Sequence, residues 1–279
     1  MSVVEPPERR KLRKALRALY NRIQNLEVYG FDLHQGKAYD INILPMELEE
    51  QSDSRPYFFT PCSASLLLDP VESTKEEGRE FHDFDSFLPN HRDPMNCARW
   101  LVHHFDGYIS NCITYSDGKG VWELAELLSR ISIGDPPFRN MHQFTYPEWV
   151  ITSATQLTEG PQPHIKAFIF NNMNGTDENV LRGEVMVALN LMIQQLRFVR
   201  FIEQLTAPIL LFSFMGPQHA RLVEAYFDGT SLVMRLTRLF DLRKMDPAVT
   251  RMFGQWFFGL AIGDTTKLWN AESQPFLPA

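Results

Sequence analysis

The pattern of apolar and polar positions changes period three times between residues 182 and 242, and that succession organises the rest of the chain. Residues 182–205 (RGEVMVALNLMIQQLRFVRFIEQL) have helical spacing, and residues 207–216 (APILLFSFMG) form an unbroken apolar run. Residues 220–242 (ARLVEAYFDG–TSLVMRLTRLFDL) then alternate about a turn at Asp228-Gly229. A helix, a strand covered on both faces and a two-stranded ribbon form the centre of one α+β core. The expected architecture is a central mixed or antiparallel sheet with flanking helices, and residues 209–214 are its most buried strand.

At the other end, residues 8–26 spell a basic amphipathic helix. Leu12, Leu16, Leu19, Ile23 and Leu26 recur at steps of three and four and make one apolar stripe. Pro6-Pro7 stands where a helix starts. Residues 31–34 and 38–46 read as strands around a hairpin loop at Gln35-Gly36-Lys37. Residues 47–56 read as an acidic loop, and 57–68 as a strand interrupted by Pro61. Residues 71–96 carry acids, prolines and aromatics without a period.

Beyond them the pattern predicts a helix over 94–105 capped by Asp93, a strand over 107–115 and a turn at Asp117-Gly118. A helix over 121–131 follows, with Leu124, Leu127 and Leu128 inward, and then a linker at Gly134-Asp135-Pro136-Pro137. Strands are expected over 149–157 and 164–170. A last helix over 247–260 carries Phe253, Trp256, Phe257 and Phe258 and is closed by Gly263. The domain reading is residues 1–30 as the basic helix, 31–135 as an N-terminal α+β part, and 148–279 as a C-terminal core that can form one unit with it.

Composition narrows the classes. With 44% hydrophobic residues and 21 Phe in 279, a sizeable core is available, while no apolar run approaches the ~20 residues of a membrane span. No leader pattern precedes the first helix. Cys62, Cys97 and Cys112 are an odd number without CxxC spacing, which fits a reducing cytoplasmic or nuclear compartment. Asn174-Gly175-Thr176 then reads as a turn before a helix.

The net charge of −7 argues against a general nucleic-acid binder, yet it is unevenly spread. Residues 1–30 hold seven Lys/Arg against three acids, or +4, which leaves 20 against 31, or −11, for the remainder. Arg9, Arg10, Arg13, Lys14 and Arg17 are therefore the candidate surface for a protein partner or an acidic ligand, and nucleic acid is the less favoured occupant.

Chemistry is sparse. Gly216-Pro217-Gln218-His219-Ala220-Arg221 leaves the end of the buried strand, where ligands often sit, with His219 as an acid or base and Arg221 as an anion anchor. The bland alternative is a tight turn with Arg221 paired to an acid such as Glu224. His82, Asp83, Asp85, His91 and Asp93 include metal-ligating types, but their spacing matches no metal motif. His103 and His104 are adjacent on a helix and face different ways. There is no Gly-x-Ser-x-Gly elbow, and Gly118-Lys119-Gly120 is not a phosphate loop.

Around Glu184 the order of elements resembles the PD-(D/E)XK nuclease core, a helix carrying Glu followed by a three-strand meander. The resemblance implies Glu184 as the helix acid and Glu224 as the strand acid, together holding Mg²⁺. Residues 232–238 (LVMRLTR) lack the third acid, and two carboxylates are a weak cage for an octahedral ion, so the resemblance implies a degenerate, non-cleaving relative. Separately, SFMGPQHARLVEAYFDGTSLVMRLTRLFDL and FGQWFFGLAIGDT are similar to a family of uncharacterised intracellular proteins of filamentous fungi. That similarity implies a fungal source and no particular activity.

Two functions follow as expectations. One is a non-catalytic binding or regulatory protein acting through the basic helix. The other is an enzyme, either a Mg²⁺-dependent nuclease relative or a small-molecule enzyme of fungal specialised metabolism around His219. Glu184, His219, Arg221 and Glu224 are expected to share one pocket at the end of the central strand.

Overall fold

Residues Ile209–Gly216 form a strand with every side chain buried. Ile209 and Leu211 enter one hydrophobic cluster, while Leu210, Phe212 and Phe214 enter another on the opposite face. Burial on both faces is why this stretch lacks the alternation of a half-exposed strand. The computed structural model describes residues 4–71, 81–115, 120–139 and 141–269.

Among the described residues the helices are α1 (Pro7–Gln24), α2 (Leu33–Ala38), α3 (Pro94–Thr114), α4 (Val121–Glu126), α5 (Arg182–Gln195) and α6 (Pro247–Phe258). The first strands are β1 (Gly30–Asp32), β2 (Ile41–Pro45), β3 (Phe59–Thr60), β4 (Leu128–Arg130), β5 (His142–Gln143), β6 (Trp149–Leu157) and β7 (Ile165–Asn174). They are followed by β8 (Asn179–Leu181), β9 (Ile209–Gly216), β10 (His219–Phe227), β11 (Leu232–Leu236), β12 (Phe240–Asp241) and β13 (Leu260–Ala261).

A nine-stranded mixed sheet runs β2-β11-β10-β9-β7-β6-β4, with β12 beside β10 and β5 beside β6. The β2–β11 and β7–β9 pairs are parallel and the others antiparallel. The fold is therefore α+β, with α1 and α5 over one face of the sheet and α3 and α6 over the other. Strands from residues 31–135 lie at both ends of this sheet, β2 next to β11 and β4 next to β6.

The stripe of α1 is docked. Leu12, Leu16, Leu19 and Ile23 are all buried in the cluster they share with α5. Helix α5 is buried all round, its polar Asn190, Gln194 and Gln195 included, so its sequence carries little amphipathic signal. At the β10–β11 turn, Asp228 Oδ1 accepts from the amides of Thr230 and Ser231 at 2.8 and 2.7 Å. Gly229 there takes φ +104°, which a side chain would oppose.

Five local expectations are corrected. Residues 33–38 are a helix and not a hairpin loop. Asp32 Oδ1 accepts from the Gln35 amide at 2.7 Å and the Gln35 side chain accepts from the Asp32 amide at 3.3 Å, a capping box. The flanking strands pair elsewhere, β1 with β8 and β2 with β11.

Residues 107–114 of the expected strand at 107–115 continue α3 instead, because Tyr108, Ile109 and Cys112 extend the buried stripe of Leu101 and Phe105 past Gly107. The helix at 121 stops at Glu126 with Leu127 exposed, and the chain leaves as β4 to bond β6. Only Phe59–Thr60 of the 57–68 stretch is a strand, paired with β13. Helix α6 ends at Phe258 with Gly259 and not Gly263, because the chain leaves as β13 to pair β3, and it passes so close that a Cβ at Gly259 would stand 2.0 Å from the Thr60 carbonyl oxygen. The Asp117-Gly118 turn and residues 72–80 of the irregular segment lie outside the described residues.

Candidate functional site

Glu184 and Arg221 meet, and both are fully buried. Glu184 opens the first turn of α5, and Arg221 projects from β10 onto the face that α5 covers. Arg221 donates Nε to Glu184 Oε1 at 2.9 Å and Nη2 to Oε2 at 2.5 Å, a two-pronged bond. Its Nη1 donates to the carbonyls of Thr176 and Asn179 at 3.0 and 2.8 Å. Glu184 Oε2 also accepts from the Leu181 amide at 2.7 Å, which ties the start of the helix.

Glu224 is not part of this group. Side chains alternate along a strand, so positions three apart point to opposite faces. Glu224 stands across from Arg235 in the β10–β11 ladder and faces the α3/α6 layer. Arg235 Nη1 donates to Glu224 Oε2 at 2.8 Å and to the Arg55 carbonyl at 2.6 Å, while its Nη2 donates to the Ser54 carbonyl at 2.9 Å. The amides of Tyr57 and Phe58 donate to the two carboxylate oxygens at 2.9 and 2.8 Å. The guanidinium also lies 3.6 Å from the centre of the Tyr57 ring. Burial pushes the Glu224 pKa up, opposed by Arg235 and the two amides.

The expected shared pocket is therefore split by the sheet itself. The two glutamates named for Mg²⁺ lie on opposite sides of β10, and each carboxylate is occupied by its own arginine and by backbone amides. Among the described residues no group of three or more His, Cys, Asp and Glu is placed to hold a metal ion. In the acid-rich segment, the His82 ring lies 4.4 Å from that of Trp100 at a tilt of 58°, and Asp83 accepts from the Met245 amide at 3.3 Å.

His219 opens β10 beyond a cis Gly216-Pro217 bond, half-buried and 4.0 Å from Asp241. Burial lowers its pKa, with Asp241 acting the other way. Asp241 is already engaged by Arg243 Nη2 at 2.5 Å, and this bond is the main reason its pKa lies near 2. His219 thus faces a carboxylate committed to another cation.

Two titratable groups carry no signal in the sequence beyond residue type. Lys166, inside β7, donates Nζ to the carbonyls of Phe257 and Gly259 at 2.7 and 2.5 Å and so caps the end of α6. Burial pulls its pKa down to about 7. His164 bonds the Ile262 carbonyl through Nε2 at 2.9 Å, and burial lowers it to about 4. Both groups hold the 257–262 segment against the sheet and are enclosed by it.

Helix α1 presents a cluster of exposed charge. Arg9 is three positions before Leu12 and seven before Leu16, hence on the apolar side. It is buried, and its Nη2 donates to the carbonyls of Leu196 and Phe198 at 2.6 and 3.2 Å. Arg13 is spent as well: Nε and Nη2 clasp Glu5 at 2.6 and 2.9 Å, which holds the Glu5 carboxyl below its usual range. Arg10, Lys11, Lys14 and Arg17 remain exposed. Arg10 lies 3.8 Å from Glu5, and Lys11, Lys14 and Arg17 have no carboxylate partner among the described residues. Of the five cations expected to form a partner surface, Arg10, Lys14 and Arg17 are exposed, while Arg9 and Arg13 are engaged by other groups of the chain.

Comparison with known protein families, with curated proteins and with solved structures gives no match to this chain. Among the described residues no helix is long and apolar enough to cross a membrane.

Proposed function

We propose that this protein is a non-catalytic binding protein that holds an acidic partner on the outward face of α1. One observation carries the reading. A helix whose apolar stripe is fully used inside the fold still presents Arg10, Lys11, Lys14 and Arg17 to solvent on its other side. Exposed cations gain little from the fold, whereas on an acidic body they concentrate attraction for an external anion in one place. Of the polar groups that first suggest catalysis, Glu184 is committed to Arg221 and Glu224 to Arg235, while His219 faces an Asp241 already held by Arg243.

The test is fluorescence anisotropy with a labelled polyglutamate peptide over a salt series. Binding should weaken steadily with salt and disappear when Arg10, Lys11, Lys14 and Arg17 are all replaced by Gln, with the melting temperature unchanged. Undiminished binding by that variant would refute the assignment of the face. Mg²⁺-dependent cleavage of DNA by the purified chain would favour the nuclease reading instead.

A further inference from the structure

The exposed cations of α1 are not evenly used by the surface around them. Pro6-Pro7 turns the chain into the helix, and the Arg13 fork draws Glu5 back alongside it. The fold-back leaves a depression of about 450 Å³ lined by Val4, Glu5, Pro7, Arg10, Lys11 and Lys14. Arg10, Lys11 and Lys14 fall within a ~100° arc of the helix, so the three charges converge on this hollow. Arg17 is a further turn along the helix and does not line it.

We infer that this depression binds a compact small molecule carrying several phosphate groups, an inference that rests on the reading of α1 as the binding face. The chemistry of what remains free selects the ligand. Of the guanidinium groups nearest Glu5, Arg13 is taken by Glu5 and Arg9 by backbone carbonyls, which leaves Arg10 as the single free fork beside two lysines. Lys11 and Lys14 are compact point charges that match phosphate oxygens arriving from several directions, and Arg10 adds a third cation. The lining carboxylate, Glu5, is neutralised by Arg13.

Size and surroundings favour a compact ligand over a long one. The hollow has the volume of a small-molecule site. A long polyanion would have to cross a body with a charge of −11 outside residues 1–30, as 20 Lys/Arg against 31 acids. A membrane surface is disfavoured for another reason. Insertion of an amphipathic helix needs an apolar face, and the stripe of α1 is already buried in the core.

Isothermal titration with inorganic tripolyphosphate tests the inference. The full chain should bind it, Lys11→Gln with Lys14→Gln should weaken it roughly tenfold or more, and Lys244→Gln, at an exposed cation away from α1, should leave it within about twofold. Polyglutamate binding should respond to Arg17→Gln as well. If polyglutamate binds and tripolyphosphate does not, the phosphate inference falls while the binding-face reading stands. If neither binds, both fall. Tripolyphosphate binding that ignores Lys11 and Lys14 would overturn the site. So would binding confined to vesicles bearing phosphorylated headgroups.

Discussion

Replacing Arg221 by Met is the sharpest test of how this fold is held together. Arg221 and Glu184 are fully buried, and the guanidinium serves both the carboxylate and the carbonyls of Thr176 and Asn179. Methionine would fill much of the volume and strand the Glu184 charge, a loss of about 3–5 kcal/mol. The carbonyls of Thr176, in a loop, and Asn179, at the start of β8, are only partly buried and regain some water, which adds about 1 kcal/mol. The expected total is about 4–6 kcal/mol, against a whole-domain stability of about 5–15 kcal/mol.

Glu184→Gln alone should cost about as much, because it leaves the guanidinium unpaired. The double variant removes both charges and should cost about 3 kcal/mol less than the two single changes summed. Urea unfolding followed by tryptophan fluorescence measures all four species, and constant m-values would confirm a common unfolded state. A cost for Arg221→Met below about 1 kcal/mol, or additive single effects, would show that the pair is not the fastening described here.

Three further outcomes follow. Leu211→Ala, in the strand buried on both faces, should cost about 2–5 kcal/mol in the same unfolding experiment, and a loss under about 0.5 would contradict its burial. Removing residues 4–24 should leave an unfolded or insoluble remainder, since burial of Leu12, Leu16, Leu19 and Ile23 contributes about 6–12 kcal/mol in all; circular dichroism of the truncated chain decides it, and a cooperatively melting remainder would be the contrary result. His164 has a folded pKa near 4, below the ~6.5 of an unfolded histidine, so its contribution is complete above pH 6.5 and is lost as pH falls towards 4. The loss should reach about 3 kcal/mol, and His164→Gln should remove that part of the slope, leaving the part due to His104, which burial also lowers to about 4.

The parts of the fold legible in the sequence are those with an unambiguous period. Strands 149–157 and 209–216 and the turn at Asp228-Gly229 all read directly from it. Where the reading failed, a local cue was overridden by a longer-range partner. Gly107 reads as a break, but the stripe through Ile109 and Cys112 packs α3 on β7 and β9 and keeps it helical. Gln35-Gly36-Lys37 reads as a turn, but β1 and β2 pair with β8 and β11 and not with each other, and a capping box at Asp32 starts α2 between them.

The candidate site was half legible. Pairing Arg221 with Glu224 ignored the two-residue period of a strand, which alone sends them to opposite faces. The hairpin register could have put Glu224 opposite Arg235. Glu184 reaches Arg221 across 37 residues and Lys166 reaches Phe257 across 91, and nothing local announces either bond.

The ladder joining Ile41–Pro45 to Leu232–Leu236 has a consequence for how the protein is made. During synthesis the N-terminal helix emerges with its leucines exposed, and its docking surface on α5 appears only after about 160 more residues. At ~5–20 residues per second the leucine face therefore waits roughly 10–30 s without a partner. Edge strand β2 waits longer still, with an apolar Ile-x-Ile sequence and no neighbour to bond. The same early segments that complete the finished sheet are thus its aggregation-prone parts at the ribosome, and the nascent chain should depend on a holding chaperone until residue 236 has emerged.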